Sequence, residues 1–242
     1  MGKIEIMENK VENERNEETK EGFLNLIINI IIPVVILTKF SSPEKLGPLY
    51  GLLTAISFPV FYSIYDFISK KKLNFFSVLG FVSVLLTGGF ALFELDGFWF
   101  AVKEAAIPLV FAIFIFVSLK TKYSPLKLMV FNDKIFNVPK IEESLEERKN
   151  KDGFEKIIKN STIILGFSFV LSAVLNFGLA IYILKSPPGT EAFNQELGKM
   201  TALSFPVIML PCLVVTGGAI WYLNKGIRNL TGLSSEDIFM IK

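Results

Sequence analysis

The chain contains no histidine and a single cysteine. Without imidazole there is no Ser-His-Asp or Cys-His nucleophile and no imidazole proton shuttle, and most transition-metal sites are excluded by residue type. Cys212 stands between Pro211 and Leu213 in an apolar run, so no disulfide within one chain and no thiolate cluster for zinc can form. A strong excess of positive charge is missing too, and a net charge of +2 argues against nucleic acid as a partner. The opening segment "MGKIEIMENKVENERNEETKE" lacks the apolar core and small-residue cleavage site of a signal peptide. Ile6 occupies the place where a myristoylation signal wants Ser or Thr. That segment is expected to remain as a solvated, charged arm. These gaps point away from an enzyme, and no catalytic residue, cofactor or metal is expected.

What the chain does have is apolar matter. Hydrophobic residues make up 51% of the 242 positions and Phe alone supplies 24, more than one soluble domain of this size buries. A helix needs about 20 mostly apolar residues to cross a hydrocarbon core. Six stretches meet that length: Gly22 to Phe40, Leu46 to Ser69, Asn74 to Leu95, Phe98 to Leu119, Asn160 to Leu184 and Met200 to Leu223. The first is the shortest and carries Asn25, Asn29 and Pro33, so a tilted or re-entrant segment is its rival reading. The fold class predicted is all-α, a six-helix transmembrane bundle. Its parts are an arm (1–21), a four-helix core (22–119), a connection (120–159), a two-helix hairpin (160–223) and a tail (224–242).

Orientation follows from lysine and arginine, which are retained on the cytoplasmic side near span ends. Twenty of the 25 fall in the arm, in Lys70 to Lys72, in the connection and in the tail. Lys39, Lys45, Lys185 and Lys199 make up the opposite set, and Lys103 alone lies inside a span. Both termini are therefore expected in the cytoplasm.

Polar residues inside the spans are the candidate site. Trp99 marks an interface, and Lys103 lies about 6 Å deeper, close enough for its ammonium to snorkel back to headgroups. Glu104 is turned about 100° further round the helix, is expected not to pair with its neighbour, and so points into the bundle. Pro108 offers no N–H to the carbonyl of Glu104, as Pro33 offers none to the carbonyl of Asn29, whose side chain shares a face with Asn25. Asn176 lies about 24 Å into the fifth stretch, level with Glu104. Pro59 is a further helix break. Asp66 with Lys70 at i+4 reads as an end-of-helix ion pair. Gly47 with Gly51, and the steps Thr87-Gly88-Gly89 and Thr216-Gly217-Gly218, read as close-packing notches or hinges.

In the connection, Ser124-Pro125 opens a helical pattern, with Leu126, Met129 and Val130 opposite Lys127 and Lys134, expected to lie on the membrane surface. The charged stretch that follows, with Asp152-Gly153 as its turn signal, reads mainly as a solvated linker helix leading into the fifth span. "TAISFPV" (54–60) returns as "TALSFPV" (201–207), which points to a parallel repeat of helical hairpins.

The run from Phe75 to Asn132 resembles the core of the bacterial intracellular septation protein A group. Gly88, Gly89, Lys103, Lys120, Pro125 and Leu126 occupy the places of its Gly-Gly step, lysine-bearing span and Lys-Pro-Leu-like exit. "LGPLYGLLTAISFPVFYSIYD" and "KEAAIP" are similar to a set of six-span bacterial inner-membrane proteins allied to that group. The resemblance implies a role in cell-envelope upkeep, with envelope or division proteins as partners, and carries over no catalytic residues. The expected function is structural or interactive. The alternative is a small secondary transporter of an unidentified solute, using Lys103, Glu104, Asn176 and the Asn25/Asn29 face.

Overall fold

The computed structural model describes residues 23–70, 96–121 and 135–240, with isolated positions at 20, 89, 93, 126 and 131. Eight α-helices lie among these residues: α1 (Ile32–Lys39), α2 (Gly47–Lys70), α3 (Gly97–Ser118), α4 (Val138–Glu147), α5 (Lys151–Ile183), α6 (Glu191–Ser204), α7 (Leu210–Thr231) and α8 (Ser235–Ile238). Two five-residue π-turns, Ile27–Ile31 and Phe205–Met209, run directly into α1 and α7. Each ends two residues before a proline, Pro33 or Pro211, at the start of the α-helix that follows. A proline offers no N–H to the carbonyl four residues back, and its ring crowds that carbonyl. The turn before it is thus free to widen, and Ile32 donates to the carbonyl of Ile27, five residues back. Pro59 and Pro108 sit inside α2 and α3 with no such widening.

Four segments are long and apolar enough to cross a membrane: Gly47–Tyr65, Gly97–Ser118, Lys151–Ile183 and Glu191–Thr231. They match the second, fourth, fifth and sixth expected spans. The first expected span is a shorter apolar helix, Phe23–Lys39. The third expected span lies outside the described residues except at positions 89 and 93, as do the side chains of Asp66 and Lys70 and most of the predicted surface helix. The long helices are apolar outward. On α3, Val110, Ile113, Phe114 and Val117 share one face at i, i+3, i+4 and i+7 and are exposed, while Ala112 and Ile115 on the other side are buried. Apolar faces of this length need lipid to cover them.

The chain divides into two compact units. The first holds residues up to 101 together with Leu179–Ser204. In it α6 packs on α1 at Gly198, where a Cβ would stand 2.8 Å from the Thr38 methyl. The Gly47/Gly51 pair divides its labour: Gly47 supplies a positive φ of 72° at the start of α2, whereas Gly51 is the close contact, 2.6 Å from Ser41 Oγ to a built Cβ.

The second unit holds residues 102–178 and 205–242. Its α5 and α7 run antiparallel, with Gly153 against Leu230 and Gly226 against Ile157. Beyond the apolar lengths of these two helices the connection and the tail fold together into a cap. Leu126, Phe131, Phe136, Ile141, Leu145, Phe154, Ile158, Leu223, Ile227 and Ile238 form one core there. Hence the connection is no solvated linker, and Leu126 is a core residue, not one resting on a membrane surface. Asn137 caps α4 by accepting from Lys140 N–H, and Ile141 and Leu145 are buried while Glu142, Glu143, Glu146 and Glu147 face outward. The turn between α4 and α5 falls at Arg148 and Lys149, earlier than the expected Asp152-Gly153. Gly153 is instead a helical position packed on Leu230. The tail is fastened by Asn137 N–H to the Ile238 carbonyl (2.8 Å), Met240 N–H to the Ile135 carbonyl (3.0 Å) and a Lys140–Asp237 ion pair (2.8 Å).

The sequence echo does not carry over to local conformation. Phe58-Pro59 is ordinary α-helix within α2, and Phe205-Pro206 opens a π-turn.

Candidate functional site

Charge inside α3 is the first feature to place. Lys103 Nζ stands 2.5 Å from Glu104 Oε1, with the two side chains 4% and 23% exposed. Two expectations are corrected here. Lys103 is buried and does not reach out to headgroups. Its neighbour on the helix is also its ion-pair partner, because four methylenes give the lysine enough reach to curl across the 100° that separates the two Cβ directions. The helix passes Pro108 without a π-turn, so the Glu104 carbonyl has no N–H from position 108.

The remaining candidates do not join this pair. Asn176 turns back on its own helix, its amide donating to the Ser172 carbonyl at 2.8 Å and to Ser172 Oγ at 3.3 Å. Asn29 donates to Asn25 Oδ1 at 2.9 Å, so the two do share a helix face, and on that face Asn25 is exposed while Asn29 is half-buried. Pro33 is buried in α1.

Sequence reasoning missed two polar knots. In the first unit, fully buried Asn194 of α6 donates to Ser41 Oγ (3.1 Å) and to the Pro48 carbonyl (2.7 Å), tying α6 to the loop after α1 and to the first turn of α2. The Glu196 carboxylate accepts from the N–H groups of Lys185 and Ser186 and from the Ser186 hydroxyl, all at 2.8 to 2.9 Å. In the second unit, Ser168 Oγ lies 3.1 Å from the Cys212 carbonyl and 3.0 Å from Thr216 Oγ1, and Asn160 donates to Tyr222 Oη at 3.0 Å. Gly217 and Gly218 are not notches, since a Cβ on either would meet nothing within 4 Å. The helix contact belongs to Thr216 and, nearly three turns on, to Gly226. The sequence carried no signal for this: the Thr216-Gly217-Gly218 step reads as the closer-packing site, whereas Gly226 stands alone between Lys225 and Ile227.

Outside the apolar segments, two carboxyl groups are held below the usual range. Asp237 is lowered by a hydrogen bond from Lys140 and another from Ser234, with the Lys140 charge adding to them. Glu146 is lowered by its hydrogen bond from Lys151 and then by that cation's charge. Among the described residues no group of three His, Cys, Asp or Glu side chains is placed to hold a metal ion.

These features define a helical membrane protein with a folded cap of charged surface on the second unit. No family model matches the chain, and no curated protein or solved structure matches it either.

Proposed function

We propose that the protein is a multi-span inner-membrane protein of the bacterial cell envelope with a structural or interaction role and no catalytic activity, both termini and the cap lying in the cytoplasm. The observation that supports this is the cap itself: the connection, the tail and the ends of α5 and α7 share one apolar core, so a charged surface is carried rigidly on membrane helices. The lysine and arginine distribution supports the orientation. The resemblance to the septation protein A group supports the envelope setting, with division or envelope proteins as partners. The six-span count and the hairpin repeat belong to the same reading.

A second reading, secondary transport, draws on one observation, the burial of Lys103 beside Glu104 within a span. One experiment separates the two. In a strain relying on variants of this chain, the paired change Lys103→Met with Glu104→Gln and, separately, Asn176→Ala are expected to leave growth and division unchanged, whereas Ile238→Asp, which opens the cap core, is expected to abolish function with the protein still inserted. Loss of function in the paired Lys103→Met, Glu104→Gln variant at normal membrane levels, with Ile238→Asp harmless, overturns the interaction role. A fluorescent reporter fused after Lys242 is expected to be active in the cytoplasm.

A further inference from the structure

The second unit carries a band of cations at one height. On α7, Lys225 and Arg228 follow Trp221 by four and seven residues and so share its outward face. Lys225 Nζ lies 4.9 Å from the Trp221 ring centroid, and Trp221 is 61% exposed. On antiparallel α5, Lys156 and Lys159 are exposed at the matching height, which is fixed by the Gly226–Ile157 contact and the Asn160–Tyr222 hydrogen bond. Glu155 is the one carboxylate between residues 155 and 160 or 221 and 228. On one side of this band α7 exposes Leu213 and Val214 to lipid; on the other stands the charged cap. The band therefore lies at the level of the headgroups, where an indole is stable at the water boundary and cations meet phosphate.

From this we infer that the outward face of α7 formed by Trp221, Lys225 and Arg228 is a binding surface for anionic phospholipid, the two cations taking the headgroup phosphodiester and the indole lying on the upper acyl chain. Lys225 is already held beside the ring, so little side-chain freedom is lost when a headgroup arrives. Lys156 and Lys159 extend the positive field around the helix pair. The preference holds whichever side of the bilayer the cap occupies, so it stands apart from the orientation proposed above.

Trp99 and Trp221 are the two tryptophans of the chain, which makes the site readable by fluorescence. The full-length Trp99→Phe protein is reconstituted in phosphatidylcholine with brominated chains, which quench Trp221, and unbrominated phosphatidylglycerol is titrated in. Phosphatidylglycerol is expected to relieve quenching several-fold more effectively than its mole fraction predicts. Each charge removed should weaken that preference by roughly fivefold at most, so that Lys225→Gln with Arg228→Gln brings it close to one. The charge-keeping pair Lys225→Arg with Arg228→Lys should retain it. A parent protein with no preference overturns the assignment, as does a preference that survives removal of both charges or that disappears in the charge-keeping pair.

Discussion

Replacing Ile238 by alanine tests whether the tail is part of the cap or merely lies against it. Ile238 is fully buried and belongs to α8, a four-residue helix too short to persist by itself. It belongs to the same buried core as Ile141, Leu145 and Ile227. Removing a buried Ile side chain to Ala costs about 2–5 kcal/mol. The two backbone bonds that fasten the segment, at Ile238 and Met240, contribute about 1 kcal/mol each, so burial dominates the docking. The low end of the burial loss, about 2 kcal/mol, corresponds to roughly a thirtyfold rise in the open population. Hydrogen exchange followed by mass spectrometry, on protein in lipid nanodiscs at neutral pH, should show the amides of 235–240 exchanging at least about thirtyfold faster in Ile238→Ala. Those of the apolar part of α7 should be unaffected. Lys140→Met should accelerate the same peptide far less, since the Lys140–Asp237 pair is exposed on both sides. Unchanged exchange in Ile238→Ala, or equal acceleration by the lipid-facing control Leu213→Ala, refutes a cap built on this core.

Three further outcomes follow from particular contacts. Gly226→Ala should lower thermal stability in detergent by about 1–3 kcal/mol, because the new methyl would lie 2.5 Å from Ile157 Cδ1; Gly217→Ala, with open space around it, should be neutral or stabilise by about 0.5–1 kcal/mol. The carboxyl of Asp237 should titrate below 3.8, the value it has without partners, and move up toward it in Lys140→Met, as read by isotope-edited carboxyl titration. A lowered value in the folded state means that this contribution to tail docking is complete above the unpartnered value and is lost as pH falls through the folded one; a midpoint at or above 3.8 contradicts the Lys140 contact. Asn194→Leu should destabilise the first unit by about 1–3 kcal/mol, by leaving the Pro48 carbonyl without its donor.

Apolar runs were the legible part of this chain. Length and hydropathy located α2 and α3 to within a residue at both ends and α5 at its C-terminal end, because spanning a bilayer constrains both together; the last apolar segment, Glu191–Thr231, runs eight or nine residues beyond the expected Met200 to Leu223 at each end. Long-range partners were not legible. Asn194 and Ser41 are 153 residues apart, and neither residue type announces that it will meet the other. The cap escaped notice for the same reason: α4 taken alone has the amphipathic pattern of any surface helix, and the tail is short and mixed. Only the meeting of Phe136 with Phe239, and the sharing of one core by Ile141 and Ile238, reveals that each supplies the apolar partner the other lacks. Proline breaks were legible as positions but not as conformations. Pro33 and Pro211 follow π-turns, and Pro59 and Pro108 do not, although all four remove the same N–H.

The Lys103–Glu104 pair is where stability and function give different expectations. A buried ion pair returns in Coulomb attraction little more than the cost of taking both charges out of water, and well-packed neutral replacements are commonly as stable or more so. Leaving one member behind is a different matter. Lys103→Met strands a carboxylate that is 23% exposed and should destabilise the fold by about 3–5 kcal/mol if it stays ionised. The double variant Lys103→Met with Glu104→Gln should recover most of that loss. Thermal unfolding of the three proteins in one lipid composition decides it, and a single variant as stable as the parent would show that the pair is not buried as described. Since the pair adds little to stability, its value to the cell has to be read separately from the fold. A double variant that is stable and supports growth leaves the cap as the working surface; one that is stable and inactive transfers the function to the interior of α3.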